Sequence, residues 1–163
     1  MMSKIEFEAI GEIHSPFKEA KGTPIQPPAA KEVEGEVEVL PKYQQGLKDL
    51  SGFSHLILLY HFHLAKEPSL TATPFMENEE HGIFAIRAPS RPNSIGLSIV
   101  RLVDIKDNII KIKDVDILDG TPLLDIKPYV AGFDQRENVT SGWLEKNIDK
   151  LSDKKDDGRF LEE

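Results

Sequence analysis

One apolar run, His55-Leu56-Ile57-Leu58-Leu59-Tyr60-His61-Phe62, constrains the fold of this chain more than any other stretch. It is nearly continuous in apolar side chains, and its length suits a strand, so it predicts one buried on both faces. Weaker strand signals surround it. Ile5, Phe7, Ala9 and Ile13 alternate with more polar neighbours, as do the residues of Glu36-Val37-Glu38-Val39. Ile83–Ile86, Leu97–Ile105, Ile109–Ile112, Val115–Leu118 and Asp125–Val130 follow, broken by turn residues at Asp107-Asn108, Asp119-Gly120 and Pro128. Many short strands and few helices predict an all-β sandwich or barrel with short helical additions.

Two helices are expected. One spans Lys42 to Leu50 after Pro41, with Leu47 and Leu50 facing inward. The other is a C-terminal helix from about Gly142 to Leu151, with Leu144, Ile148 and Leu151 on one face and Ser141 as its cap. The segment from Lys21 to Lys31 holds Pro24, Pro27 and Pro28 without apolar periodicity, and reads as a long functional loop. The tail after Ser152 reads as mobile or docked on a partner.

At 163 residues the chain suits one domain with a real core. The absence of cysteine excludes disulfides and thiolate chemistry and points to a reducing compartment. The start, Met1 to Glu6, has no long apolar stretch, so no secretory signal is expected, and no run is long enough to cross a membrane. A net charge of −8 argues against whole-surface nucleic-acid binding but leaves room for a local basic face.

Such a face is suggested by Gly82–Ser98. No acid occurs between Glu80 and Asp104, while Arg87 and Arg91 stand four apart with Pro89 and Pro92 stiffening the loop. Arginines without nearby acids suit an anion or a nucleic-acid backbone, and Asn93 offers a donor and an acceptor to a base edge. A solvated surface loop is the plainer alternative. Asp119-Gly120-Thr121-Pro122 reads either as a grip on a ribose or amino-acid moiety or simply as a hairpin turn. Asp125, Lys127 and Tyr129 share one face if this stretch is a strand. His61 and His63 point the same way in a strand, which is a metal-ligand spacing lacking its third ligand. No glycine pair has the i, i+2 spacing of the dinucleotide fingerprint, and no Walker loop or nucleophile elbow is present.

Four segments, in order, carry a family resemblance: Ile10–Lys18, Leu50–His63 around Phe53-Ser54-His55-Leu56, Gly82–Ser98, and Asp119-Gly120-Thr121-Pro122 through Pro128-Tyr129. On these the chain resembles the TrmO (TsaA-like) family. The resemblance implies a β-barrel over residues 7–137, with the C-terminal helix and tail in 138–163. It implies an S-adenosylmethionine-dependent methyltransferase acting on N6 of threonylcarbamoyl-adenosine at tRNA position 37. It also implies a cytoplasmic homodimer, with neither membrane nor metal as a partner and with the cofactor near the subunit interface. The cofactor pocket would draw on Pro27, Pro28 and Ala29; on His63 and Leu64; on Arg87 and Leu97; and on Leu118, Asp119, Gly120 and Thr121. Ser94 and Pro28 depart from the family pattern, and the extra C-terminal domain of some bacterial members is not expected here.

Methyl transfer needs positioning and desolvation from the protein, and a group to take the proton of a poorly nucleophilic nitrogen. Asp119, Asp125, His63 and Tyr129 are the proton-acceptor candidates, and Asn93, Asp125 and Tyr129 are assigned to the catalytic set. Arg91, Pro92, Asn93 and Lys127 are assigned to the substrate, whose threonyl carboxylate also suits Arg87. The competing readings are a binding module without turnover, a methyltransferase on another acceptor and, least favoured, a metal hydrolase using His61 and His63.

Overall fold

A computed structural model of the chain describes residues 3–161. Met1, Met2 and the last two residues of the expected tail lie outside the described residues. Six strands close into an antiparallel barrel: β1 (Gly11–His14), β2 (Glu34–Val39), β3 (His55–His61), β6 (Ile95–Lys106), β7 (Ile109–Lys113) and β8 (Thr121–Pro128). Their order around the barrel is β1-β2-β7-β6-β3-β8, with β8 returning to β1. Two-residue strands β4 (Thr71–Ala72) and β5 (His81–Gly82) pair separately.

Alternation explains which side chains fill the barrel. Along β6, Gly96, Ser98 and Val100 turn inward while Ile95, Leu97 and Ile99 turn outward. Ile13, Val37, Leu56, Leu58, Val100 and Leu123 are fully buried at the centre. Burial along β3 also alternates, with Leu56, Leu58 and Tyr60 inside and Ile57 and Leu59 half-covered. The expectation of a strand buried on both faces is therefore corrected: a barrel strand has one interior face, and only partial cover lies over the other.

Close approach requires glycine at Gly11 and Gly96 most sharply. A β-carbon at Gly11 would collide with the Glu38 carbonyl oxygen, and one at Gly96 would collide with the Tyr60 ring. Turn geometry is set by Asp107 (φ +54°) between β6 and β7, and by Gly120 (φ +77°) before β8. The Asn108 side chain at the first turn donates to the Val39 carbonyl at 2.7 Å and ties that hairpin to the end of β2.

Closure also explains where strand signals failed. A closed barrel has no free edge, so Ile83–Ile86 and Val115–Leu118 find no ladder. The former holds a 3-10 turn at Ile83–Ala85, and the latter runs as irregular chain with Val115 and Ile117 buried. Residues 5–9 also lie outside the ladder, with Ile5 and Phe7 exposed.

Both expected helices are 3-10 turns. Pro41–Leu47 and Leu50–Gly52 are separated at Asp49, whose φ is +66°. Gly142–Lys146 and Ile148–Asp153 are separated at Asn147, and Ser141 makes no side-chain cap. Asn147 is held from outside, its amide donating to Glu77 at 3.0 Å, while the Trp143 indole donates to the Ala85 carbonyl at 2.9 Å. These tertiary bonds override continuous helix. Among the described residues, no helix is long and apolar enough to cross a membrane.

Candidate functional site

A cleft of about 1510 Å³ opens where β3 ends and β6 begins. Its walls are the proline loop (23–31), the chain after β3, the arginine loop (84–93), residues 114–121 and the C-terminal segment. It takes in both faces of β6, with Gly96 and Ser98 from inside the barrel and Ile95, Leu97 and Ile99 from outside.

The C-terminal segment is a strap across these walls. Lys155 bridges to Pro24, and Leu161 bridges to Ala65. The Gly22 amide donates to the Asp156 carbonyl and the Asp156 amide to the Thr23 carbonyl, both at 2.8 Å. The Ser90 hydroxyl donates to the Phe160 carbonyl at 3.0 Å. Phe160 packs in a second apolar cluster with Ile83, Ile86 and Ala88, separate from the barrel core. Leu144, Ile148 and Leu151, expected on one face of a single helix, come instead from the two 3-10 turns, and all three line the cleft.

The arginine loop is rigid for reasons visible in its bonds. The Arg91 guanidinium donates to the Ile86 carbonyl at 3.0 Å, closing the loop on itself. Arg87 donates to the Gln26 side-chain oxygen at 2.9 Å, joining this loop to the proline loop. Among the described residues neither arginine forms an ion pair with an acid, so both cations keep their capacity for an anionic ligand.

Tyr60, Ser98 and Asp116 form a polar cluster at the barrel side of the cleft. The Ser98 hydroxyl lies 2.6 Å from the Asp116 carboxylate and 3.0 Å from the Tyr60 hydroxyl. Asp116 keeps some open surface but is crowded by protein atoms elsewhere, and this desolvation pushes its carboxyl up to about 7. The hydrogen bond from Ser98 and the charge of Arg87 act in the opposite direction. Burial, then the nearby Asp116 charge, raise the Tyr60 phenol well above its ordinary range.

Of the expected cofactor positions, Pro27, Pro28, His63, Leu64, Arg87, Leu97, Leu118 and Thr121 line the cleft, whereas Ala29, Asp119 and Gly120 do not. Arg91, Pro92 and Asn93 line it too. Asp119 instead builds the turn. It accepts from the Ser15 amide at 3.0 Å and pairs with Lys18 at 2.6 Å, and Lys18 holds its carboxyl below the usual range. Asp125 and Lys127 do share a face, where they pair at 2.7 Å away from the cleft. Tyr129 sits edge-on to His55 and does not line the cleft. His63 stands at the rim, its imidazole pulled below the usual range by desolvation and by His61 beside it. Among the described residues no cluster of three metal-ligating side chains occurs.

Sequence reasoning missed Asp116, Ser98, Tyr60 and the strap. The available signal was one acid flanked by Val115 and Ile117, an ionisable group set inside an apolar run.

The donor set suits an adenosyl amino-acid ligand. Apolar Pro27, Leu97 and Leu118 offer faces to a purine, and Arg87 offers a fork to a carboxylate. Comparison with known proteins points the same way. The profile of the tRNA-methyltransferase O N-terminal domain matches residues 12–135. A probable S-adenosyl-L-methionine-binding protein of Pyrococcus abyssi is 64% identical over 155 residues, covering 95% of this chain and 84% of that protein. The tRNA (adenine(37)-N6)-methyltransferase of Escherichia coli is 40% identical over 154 residues, covering 88% of this chain and 66% of that enzyme. A crystal structure of TrmO from Pseudomonas aeruginosa superimposes with a TM-score of 0.73 at 36% identity, covering 86% of this chain and 63% of that one. The chain thus spans about two thirds of these bacterial proteins.

Proposed function

Because the chain belongs to the TrmO family, we propose that it transfers the methyl group of S-adenosylmethionine to N6 of an adenosine at tRNA position 37, the threonylcarbamoyl-modified base being the acceptor. The observation that carries this reading is one cleft that gathers eight of the eleven expected cofactor positions and an arginine loop without acidic partners among the described residues. Its volume of about 1510 Å³ exceeds what one small ligand needs, leaving space for a cofactor and a base together.

The cofactor supplies an electrophilic methyl group, and the chain supplies position, desolvation and a route for the proton. Arg87, joined to the proline loop through Gln26, is placed to orient a carboxylate. Arg91, Pro92 and Asn93 form the rim at which a splayed base would enter. With a net charge of −8, affinity for tRNA has to come from this local face.

The active form is a homodimer in this reading, working in the cytoplasm where tRNA is modified. What supports the dimer is an exposed apolar stripe, Ile95, Leu97 and Ile99 on β6 with Phe84 (77% exposed) beside the same cleft. A second reading, a cofactor-binding module without turnover, is favoured by the binding-protein name of the Pyrococcus relative. Labelled S-adenosylmethionine incubated with tRNA, with and without the threonylcarbamoyl group, separates the two. Label on the modified adenosine is expected, and cofactor binding without label in any tRNA would replace the methyltransferase reading by the binding module.

A further inference from the structure

We infer that Asp116 is the group that takes the proton from the acceptor nitrogen as that nitrogen gains the methyl group, an assignment that rests on the methyl-transfer reading above. The geometry supports it by elimination. Among the described residues, the acids that line the cleft are Asp114, Asp116 and Asp156. Asp114 is committed to Arg101, with contacts of 2.5 and 2.9 Å, and Asp156 belongs to the strap, where it accepts from the Gly158 amide at 2.7 Å. Asp116 is bonded to a neutral hydroxyl, and among the described residues no cation stands at ion-pair distance from it. Of the other candidates, Asp119 and Asp125 are paired with lysines away from the cleft and Tyr129 does not reach it, while His63 stands at the rim and is the rival that the test below separates from Asp116.

The charges balance in favour of this site. The acceptor nitrogen forms its bond to the methyl carbon as the sulfur–methyl bond breaks, and the electrons of that bond stay on sulfur. The N6 proton passes to the Asp116 carboxylate. A sulfonium cation and a carboxylate anion become a neutral thioether and a neutral carboxylic acid. A step that annihilates charge is favoured where water is scarce. The crowding that makes Asp116 more basic than an ordinary carboxylate also brings it closer to the strength needed for general-base work near neutral pH. The groups facing Asp116 are Tyr60 from β3, Ser98 from β6 and Arg87 from the arginine loop. Its sequence neighbours Asp114 and Asp119 are held by Arg101 and Lys18.

The test uses the full chain and three variants, Asp116→Asn, Ser98→Ala and His63→Gln. Carboxyl-carbon NMR on the ligand-free wild type should show one group titrating near neutrality, and that signal should be absent in Asp116→Asn. Single-turnover methyl transfer by the wild type should rise with pH along an acid limb set by the same group. Asp116→Asn should lower the rate by about 10²–10⁴-fold and lose the limb, with cofactor affinity by calorimetry held within about threefold. Ser98→Ala removes a bond that stabilises the carboxylate, so its limb should move to higher pH, and His63→Gln should leave the limb in place. The inference is overturned if Asp116→Asn transfers methyl at a near-wild-type rate, if its defect lies wholly in cofactor affinity, or if the limb follows His63. Failure of the wild type to methylate any tRNA overturns the methyl-transfer reading itself, and this inference with it.

Discussion

Replacing Asp116 by asparagine should make the folded chain relatively more stable as pH rises, the opposite of what removing a paired carboxylate does. The folded Asp116 carboxyl sits at about 7, against 3.8 for the unperturbed group. Between those values the folded state holds a proton that the unfolded chain has released, so wild-type stability falls with rising pH and stops falling above about 7. From pH 5 to pH 7 this is two units at 1.36 kcal/mol each, about 2.7 kcal/mol at most. The open surface that Asp116 keeps lets water trim this, so a change of about 1–2.5 kcal/mol is expected. Asparagine does not titrate, so the stability of the variant minus that of the wild type should grow by this amount between pH 5 and pH 8. Taking the difference between two pH values cancels any packing change caused by the substitution. Urea or guanidinium unfolding of both proteins at the two pH values measures it. A stability gap that is the same at pH 5 and pH 8 would refute the argument that desolvation raises this carboxyl.

Two further outcomes test the cleft and its outer rim. Arg87→Ala removes a guanidinium that among the described residues is bonded only to a neutral amide, so stability should barely change while calorimetric affinity for S-adenosylmethionine falls about 10–100-fold, as loss of a charge-assisted bond requires. Leu97→Asp, on the exposed outer face of β6, should give a monomer by light scattering where the wild type gives a dimer, and a monomeric wild type would remove the dimer from the proposal.

The strands of the barrel were legible because their signals are local. Alternation over Leu97–Ile105 and the Asp107-Asn108 turn place β6 and β7 directly, and β6 extends the expected segment by two residues at its start and one at its end. Closure was not legible, since nothing local tells Ile83–Ile86 that every edge is taken; the same apolar residues that suggest a strand bury equally well in a turn. The arginine loop was readable because two prolines and two arginines without acids are conspicuous in an acidic chain. Asp116 was not. Strict alternation with Val115 and Ile117 treats it as one more outward polar residue, and only the irregular path of this segment brings it to Ser98. Its partners stand 18 and 56 positions away along the chain, beyond the reach of any spacing rule. The strap was hidden for the same reason: Pro24 meets Lys155 through backbone groups, to which side-chain identity contributes little.

Among the described residues, the ladder that closes the barrel involves none after Tyr129, whose amide donates to the His55 carbonyl, whereas the cleft is walled by backbone bonds reaching Leu161. Peeling the strap away therefore breaks no rung of the barrel, so the site can be uncovered while the barrel stays closed. A growing polypeptide meets the same separation in time. It can close the barrel with a doorway standing open, and the doorway gains its last jamb only when residues 155–161 arrive.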